Sequence, residues 1–193
     1  EAGVTLRELI QLFVPRGFFP PVVPGTQLVT VGGAIANDIH GKNHHVNGSF
    51  GNHIIEISLI DGLGNLKKLS RDNNSSIQEK NQFWATIGGM GLTGVIIEAS
   101  FSLIPIKSSK MLVDVFKYKD LDNLMDAMVN AENEYQYCVA WVDTLSRSNK
   151  GIFTGGNHAL EIDLERNNFN KNPLTYESKS LASTPSFLPN GIL

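Results

Sequence analysis

Apolar residues at Val4, Leu6, Leu9, Ile10 and Phe13 return at helical intervals, and Thr5 stands three positions before Glu8. That spacing predicts a helix over residues 5–14 opened by a capping box. Pro20, Pro21 and Pro24 then forbid regular helix through GFFPPVVPGT, because each lacks an amide hydrogen and drives its predecessor extended. The chain is expected to run outstretched into Val29, Thr30 and Val31, to bend at Gly32-Gly33, and to start a helix at Ala34, Ile35 and Ala36. The run HIIEISLIDGLGNLKKL holds two β-prone segments around Asp61-Gly62 and Gly64-Asn65, the pattern of a hairpin.

The polar stretch SRDNNSSIQEKN (70–81) reads as a surface loop, followed by a short helical segment over NQFWATIG. Between 95 and 104 two sets of residues alternate, Val95, Ile97, Ala99, Phe101 and Leu103 against Ile96, Glu98, Ser100, Ser102 and Ile104, which predicts a strand ended by Pro105. Beyond it come a strand over KMLVDVFKY, a helix from Leu121 to about Glu134 opened by Asp120 or Asp122, and a strand over YQYCVAWVD. This renewed alternation places a domain boundary near Ile106, giving units at 1–105 and 106–193. The polar, aperiodic stretch around 165–186 is expected to be a mobile loop.

Composition narrows the function classes. The 193 residues are 41% apolar and 18% charged, the balance of a folded chain. A net charge of −3 with scattered lysines and arginines offers no basic stripe, so nucleic acid is excluded as a partner. Cys138 is the one cysteine; it forbids an intrachain disulfide and reads as a small buried hydrophobe. No run is long and apolar enough for a transmembrane helix, and the start EAGVTLRELI lacks the basic and hydrophobic regions of a signal peptide. A chain running from Glu1 to LPNGIL is expected to be a piece of a longer polypeptide.

Three motifs carry candidate chemistry. His40, His44, His45 and His53 suggest a metal, but Gly41 stands where zinc proteases carry a glutamate and no cysteine completes a ligand set, so no metal ligand is assigned. Gly89-Met90-Gly91-Leu92-Thr93-Gly94 spells the dinucleotide fingerprint, yet its glycines precede a strand instead of following one, which reads as a turn. Gly32-Gly33 has better context. A glycine pair entering a helix lets main-chain amides approach a phosphorylated, planar ligand, although glycine pairs also mark plain tight packing.

The segments PGTQLVTVGGAIANDIHGKNHH, GSFGNHI and FWATIGGMGLTGVIIEASFSLIP, in this order, resemble the FAD-linked oxidases of the vanillyl-alcohol oxidase superfamily, with its PCMH-type FAD-binding domain. The resemblance is dense over 1–105 and looser beyond. It implies an α+β fold: residues 1–105 as the second lobe of the FAD-binding domain, an antiparallel sheet with helices, and residues from 106 as the start of an α+β substrate or cap domain. The first lobe is expected before Glu1 and the rest of the cap after Leu193.

Carried over by position, the family's FAD contacts fall on Gly25, Thr30, Val31, Gly32, Gly33, Asn37, Asp38, Ile39, His40 and Ile96. Asn37 departs from relatives that have cysteine there. His40, as orienter or proton relay, and Lys42, as electrostatic partner of a substrate phosphate or the flavin, are the catalytic candidates. The resemblance implies non-covalent FAD, held weakly or not at all by this stretch alone, and oxidation of a secondary sugar alcohol by hydride transfer to the flavin. Within that class it extends to the 2′-hydroxyl of a polyprenyl-phosphate ribose in cell-wall sugar biosynthesis. It also allows a partner short-chain reductase and a cytoplasmic location, peripheral at the inner membrane. Two readings of other classes stand beside it: a non-catalytic flavin-fold binding module and a histidine-metal hydrolase.

Overall fold

The computed structural model describes residues 1–72, 75–145, 150–169 and 171–177. It is an α+β structure built on small antiparallel sheets with helices against them. Helix α1 (Leu6–Phe13) opens as its pattern predicts: Thr5 Oγ1 accepts from the Glu8 amide while the Glu8 carboxylate takes the Thr5 amide. A short 3₁₀ turn and Gly17, in the left-handed region at φ 80°, redirect the chain into β1 (Phe18–Phe19).

Helix α2 (Val31–Ala36) corrects the reading of the glycine pair. Val31 is its first helical residue instead of the last of an extended run, so Gly32 and Gly33 lie inside its first turn. Thr30 is the N-cap, extended and bridged to Thr5, and its hydroxyl accepts from the Gly33 amide. Helix propensity alone does not start a helix at Val-Gly-Gly. Tertiary contacts supply the reason: the Val31 amide donates to the Val4 carbonyl and the Gly32 amide to the Ala2 carbonyl, each at 2.8 Å. A Cβ on Gly32 would sit 3.0 Å from that of Ala2, so the first glycine lets residues 1–4 lie against the helix.

After α3 (His44–Asn47), the hairpin β2 (Ile54–Ile60) and β3 (Leu66–Ser70) forms as expected, and β4 (Val95–Phe101) pairs on the other side of β2 to give the order β3-β2-β4. Helix α4 (Ile77–Thr86) starts within the stretch expected to be loop; Ser76 and Glu79 form a capping box, the S-x-x-E signature of a helix start. The strand expected over 95–104 is broken. A register shift opposite Ser58/Leu59 turns Ile96, Ala99 and Phe101 toward the core and leaves Val95 and Ile97 exposed, and the chain leaves the sheet at Ser102. It then forms β5 (Ile104–Pro105), which pairs with β1 and so includes the proline thought to end the strand. The main core lies between this sheet and the helices: Leu6, Val22, Val31, Ala34, Ile35, Phe50, Ile54, Ile57, Leu59, Leu69 and Phe83 are all buried.

A second sheet follows. Strand β6 (Met111–Tyr118), helix α5 (Leu121–Ala131) and strand β7 (Tyr137–Val142) appear in the predicted order. Asp120 is the cap, and the helix ends at Ala131 instead of near Glu134. Strand β8 (Gly151–His158) was not foreseen, yet it is the central strand of the order β6-β8-β7. Its glycines hide it. A Cβ on Gly151 would meet Leu124 Cδ2 at 2.4 Å, and one on Gly155 would meet the Tyr135 ring at 2.5 Å, so α5 and its following turn pack closely against bare backbone. Helix α6 (Glu161–Arg166) was likewise unforeseen.

Residues 172–177 carry no helix or strand. They are tied down: the Ser109 amide donates to the Pro173 carbonyl and its hydroxyl to that of Thr175, and Leu174 and Tyr176 pack against Ile10, Val14 and Ile106. Residues 178–186 of the expected loop lie outside the described residues. Among the described residues no helix is long and apolar enough to cross a membrane.

Candidate functional site

The first four amides of a helix are its natural anion site, since they have no partner inside the helix. In α2 three of them are taken: the Val31 amide by the Val4 carbonyl, the Gly32 amide by the Ala2 carbonyl and the Gly33 amide by the Thr30 hydroxyl. The expectation that this bend offers free amides to a phosphate is therefore corrected. The turn Gly89–Gly94 is indeed a turn, and with Gly88 it closes the other end of α2, the Gly88 amide donating to the Ile35 carbonyl and the Met90 amide to that of Ala36.

What lies beyond α2 is more open. Asp38, at φ 41°, turns the chain, and its carboxylate accepts from the Gly51 amide at 2.8 Å. Asn37 and His40 are exposed, and the His40 ring stands edge-on to His44, 6.1 Å between centroids. Asn43 is buried at 1% exposure. It donates to the Pro21 carbonyl and to Asn47 Oδ1, leaving its own Oδ1 without a partner. That anchor holds the Gly41–His45 loop from one side. From the other, the Lys42 carbonyl accepts from the Cys138 amide at 2.8 Å and His45 Nε2 lies 2.8 Å from the Tyr135 carbonyl. A carbonyl only accepts, so that histidine nitrogen carries the hydrogen. The Lys42 main chain is thus pinned between the two sheet units while its side chain is exposed.

That side chain faces a cavity of about 760 Å³, within the usual range for small-molecule sites. One wall comes from Ile10, Val14, Phe19, Val23, Pro24, Gly25 and Gln27, with Lys42 also in the lining. The opposite wall is one face of the β6-β8-β7 sheet: Met111 and Val113, Thr154, Gly156 and His158, Tyr137 and Val139. Ser109, Lys110, Thr175, Tyr176 and Glu177 close an end. The walls are mostly apolar with a few polar groups among them.

Of the residues singled out from sequence, the structure places Gly25 and Lys42 at this cavity. A Cβ on Gly25 would meet nothing within 4 Å, so its backbone is open to a ligand. Thr30, Val31, Gly32, Gly33, Asn37, Asp38, Ile39, His40 and Ile96 lie outside its lining. His53 Nε2 lies 2.9 Å from the Asn47 carbonyl, and among the described residues no three His, Cys, Asp or Glu side chains come together as a metal site. Cys138 is half-buried, its Sγ 3.7 Å from His45 Nε2, with burial pushing its thiol pKa up and Glu132 adding to the shift.

Sequence reasoning missed the polar residues on the sheet wall. Tyr137 Oη lies 3.2 Å from His158 Nε2, and His158 Nδ1 lies 3.0 Å from the Ser108 carbonyl. Burial pushes Tyr137 up to about 12 and lowers the pKa of His158, against which the Ser108 hydrogen bond works. The alternation Thr154, Gly156, His158 was the available signal, and the surrounding glycines concealed it.

Residues 1–70 match the family described as FAD binding domain. The whole chain is 36% identical, over 200 residues, to decaprenylphosphoryl-beta-D-ribose oxidase of Mycolicibacterium smegmatis, of which it covers 42%. It is 39% identical over 160 residues, 83% of the chain, to an uncharacterized protein in the mprA 5′ region of Streptomyces coelicolor, of which it covers 41%. L-gulonolactone oxidase 5 of Arabidopsis thaliana is 32% identical over 113 residues, 55% of this chain and 18% of that protein. The chain therefore spans about two fifths of the length of the first two relatives. The match of its first 70 residues and a likeness that runs the length of this chain make it similar to the PCMH-type FAD-linked oxidases.

Proposed function

We propose that this chain supplies part of the flavin site and part of the substrate cleft of an FAD-dependent oxidoreductase that oxidises a secondary alcohol on a sugar. The supporting observation is the cavity, whose one wall belongs to the segment matched to an FAD-binding domain and whose other wall is the face of a separate sheet. On this reading residues 1–105 are the second lobe of the FAD-binding domain and residues from 106 begin the cap. The finer reading, the 2′-hydroxyl of a polyprenyl-phosphate ribose, draws on the full-length likeness to an oxidase named for decaprenylphosphoryl-ribose. The mostly apolar walls suit a ligand with a hydrocarbon part.

The residues present fit a flavin in part. The open backbone at Gly25 and the exposed Asn37 and His40 offer contacts, while the amides of Val31, Gly32 and Gly33 are already engaged within the protein. FAD, when bound, supplies the hydride acceptor. The rest falls to this chain. Lys42, its main chain pinned at both faces, holds an ammonium in the cavity lining, where it can bind a substrate phosphate or steady developing negative charge. His40 is exposed, and its imidazole can take a proton at one nitrogen and give one up at the other. Asp38 acts through the loop it braces. The reading extends to a short-chain reductase as partner and to a peripheral place at the inner membrane.

The test is anaerobic titration of the protein produced from its complete reading frame with octyl β-D-ribofuranosyl phosphate, followed by flavin absorbance. Bleaching is expected. Bound flavin that no sugar alcohol reduces would leave a binding module that has kept the fold without turnover.

A further inference from the structure

Tyr137 and His158 stand side by side on the sheet wall of the cavity, on strands β7 and β8. The Ser108 carbonyl, 3.0 Å from Nδ1, can only accept, so Nδ1 carries the ring hydrogen. Nε2 of the neutral ring then has only a lone pair, and the phenol 3.2 Å away must donate to it. Turning the ring over would lose the Ser108 bond, and its edge-on neighbours, Phe19 at 5.5 Å and Tyr137 at 5.6 Å between centroids, hold it on both sides. With its one hydrogen committed, the Tyr137 oxygen shows the cavity lone pairs and nothing else.

We infer that Tyr137, oriented by His158, is a specificity-determining residue of this cavity: it accepts a hydrogen bond from a ligand hydroxyl and offers none to a carbonyl or ether oxygen in the same place. The inference rests on the alcohol-oxidising reading above and deepens it. Oxidising an alcohol removes the hydroxyl hydrogen, so a ketone at that position loses the bond its precursor had. The pair therefore holds the reduced ligand and lets go of the oxidised one. His158 never touches the ligand; it is a positioning residue that fixes which way the phenol hydrogen points.

Protonating His158 reverses the arrangement. Nε2 then donates to the phenol oxygen, and the Tyr137 hydrogen is released toward the cavity. Burial favours the neutral ring, so the hydroxyl-accepting arrangement holds at neutral pH. The charged groups around the same space are Lys42 from the opposite wall, and Lys110 and Glu177, 3.8 Å apart, from the closed end. The other titratable group there, Tyr176, donates to Gln27 Oε1 at 3.3 Å.

The test uses the protein from its complete reading frame and two probes, octyl β-D-ribofuranoside and its tri-O-methyl ether, with affinities measured calorimetrically at about pH 8 and about pH 5. The wild type should prefer the alcohol, and Tyr137→Phe should cut that preference by about tenfold at the higher pH. Lowering the pH should erode the preference in the wild type but not in Tyr137→Phe. His158→Gln keeps an acceptor for the phenol yet cannot titrate, so it should retain the preference and lose its pH dependence. Imidazole nitrogen spectra should show the Nδ1–H tautomer.

An unchanged preference in Tyr137→Phe, a wild-type pH profile in His158→Gln, or the Nε2–H tautomer would each overturn the inference. Flavin bleaching by octyl β-D-ribofuranosyl phosphate separates the two layers. If bleaching occurs while Tyr137→Phe leaves the preference intact, the hydroxyl reader is wrong and the oxidoreductase reading stands. If neither probe binds and the flavin stays oxidised, both fall.

Discussion

The two three-stranded sheets are built to the same antiparallel rule and treated differently by the rest of the chain. In β3-β2-β4 the core-facing positions meet α2, α4 and the Phe50 turn, and Ile54, Ile57, Leu59 and Leu69 are all buried to within 1%. In β6-β8-β7 one face meets α5, with Leu124, Ala131 and Phe153 at its centre, while the other face lines the cavity. Val139 and Trp141 on that second face are exposed, and Val113 and Val115 beside them are 46% and 60% exposed. Covered faces set stability, and bare apolar faces in a cleft are where a ligand gains most from leaving water.

The sharpest way to break this contrast is to truncate an apolar side chain on each side. Phe50 is fully buried, its ring 5.2 Å from Phe101, and Phe50→Ala should cost about 3–5 kcal/mol in urea unfolding. Val113→Ala on the open face should change stability by no more than about 0.5 kcal/mol. Equal losses would mean that the second face is covered in solution.

Next in size is Gly94. It sits at φ 142°, and a Cβ there would lie 2.3 Å from the Ile60 carbonyl oxygen at the β2–β4 edge. Gly94→Ala should cost more than about 1 kcal/mol by the same measurement. Thr30→Ala removes the hydroxyl that caps the Gly33 amide and should cost about 1 kcal/mol. If the cap were spare because a ligand normally fills its place, the loss would vanish when FAD is present.

Lys42→Met should leave stability within about 0.5 kcal/mol and lower the rate of flavin reduction by at least about tenfold, checked by stopped-flow absorbance. The smallest effect concerns the hairpin turn. The Asn65 amide first, then the Lys67 ammonium at 3.0 Å, hold the Asp61 carboxyl down to about 2. A depressed carboxylate stabilises fully above its ordinary 3.8 and loses that contribution as pH falls toward about 2. Asp61→Asn should flatten the acid limb of the unfolding curve over that window; an identical limb would show the turn does not carry it.

Much of the first sheet unit was legible. Helix α1 announced itself by period and capping box, and the hairpin by its Asp-Gly and Gly-Asn punctuation, because both are held by contacts a few residues apart. The errors came where distant segments decide. The start of α2 depends on carbonyls from residues 2 and 4, and the inward face of β4 on a shift against β2. Strand β8 gains its place from two neighbours and a helix that pack onto glycine, a residue with no strand signal of its own.

The same division runs through the site. Lys42 and Gly25 could be named from their motif and do reach the cavity. Tyr137 and His158 could not, since 21 positions separate them and neither is remarkable alone. Read by itself, the order of residues determined helix α1, the β2–β3 hairpin and which family the chain resembles, because capping, turn chemistry and periodicity act over a few bonds. The tertiary structure alone decided which amides were free, which sheet face stayed bare and which polar groups met there, because those depend on what the fold brings together from far along the chain.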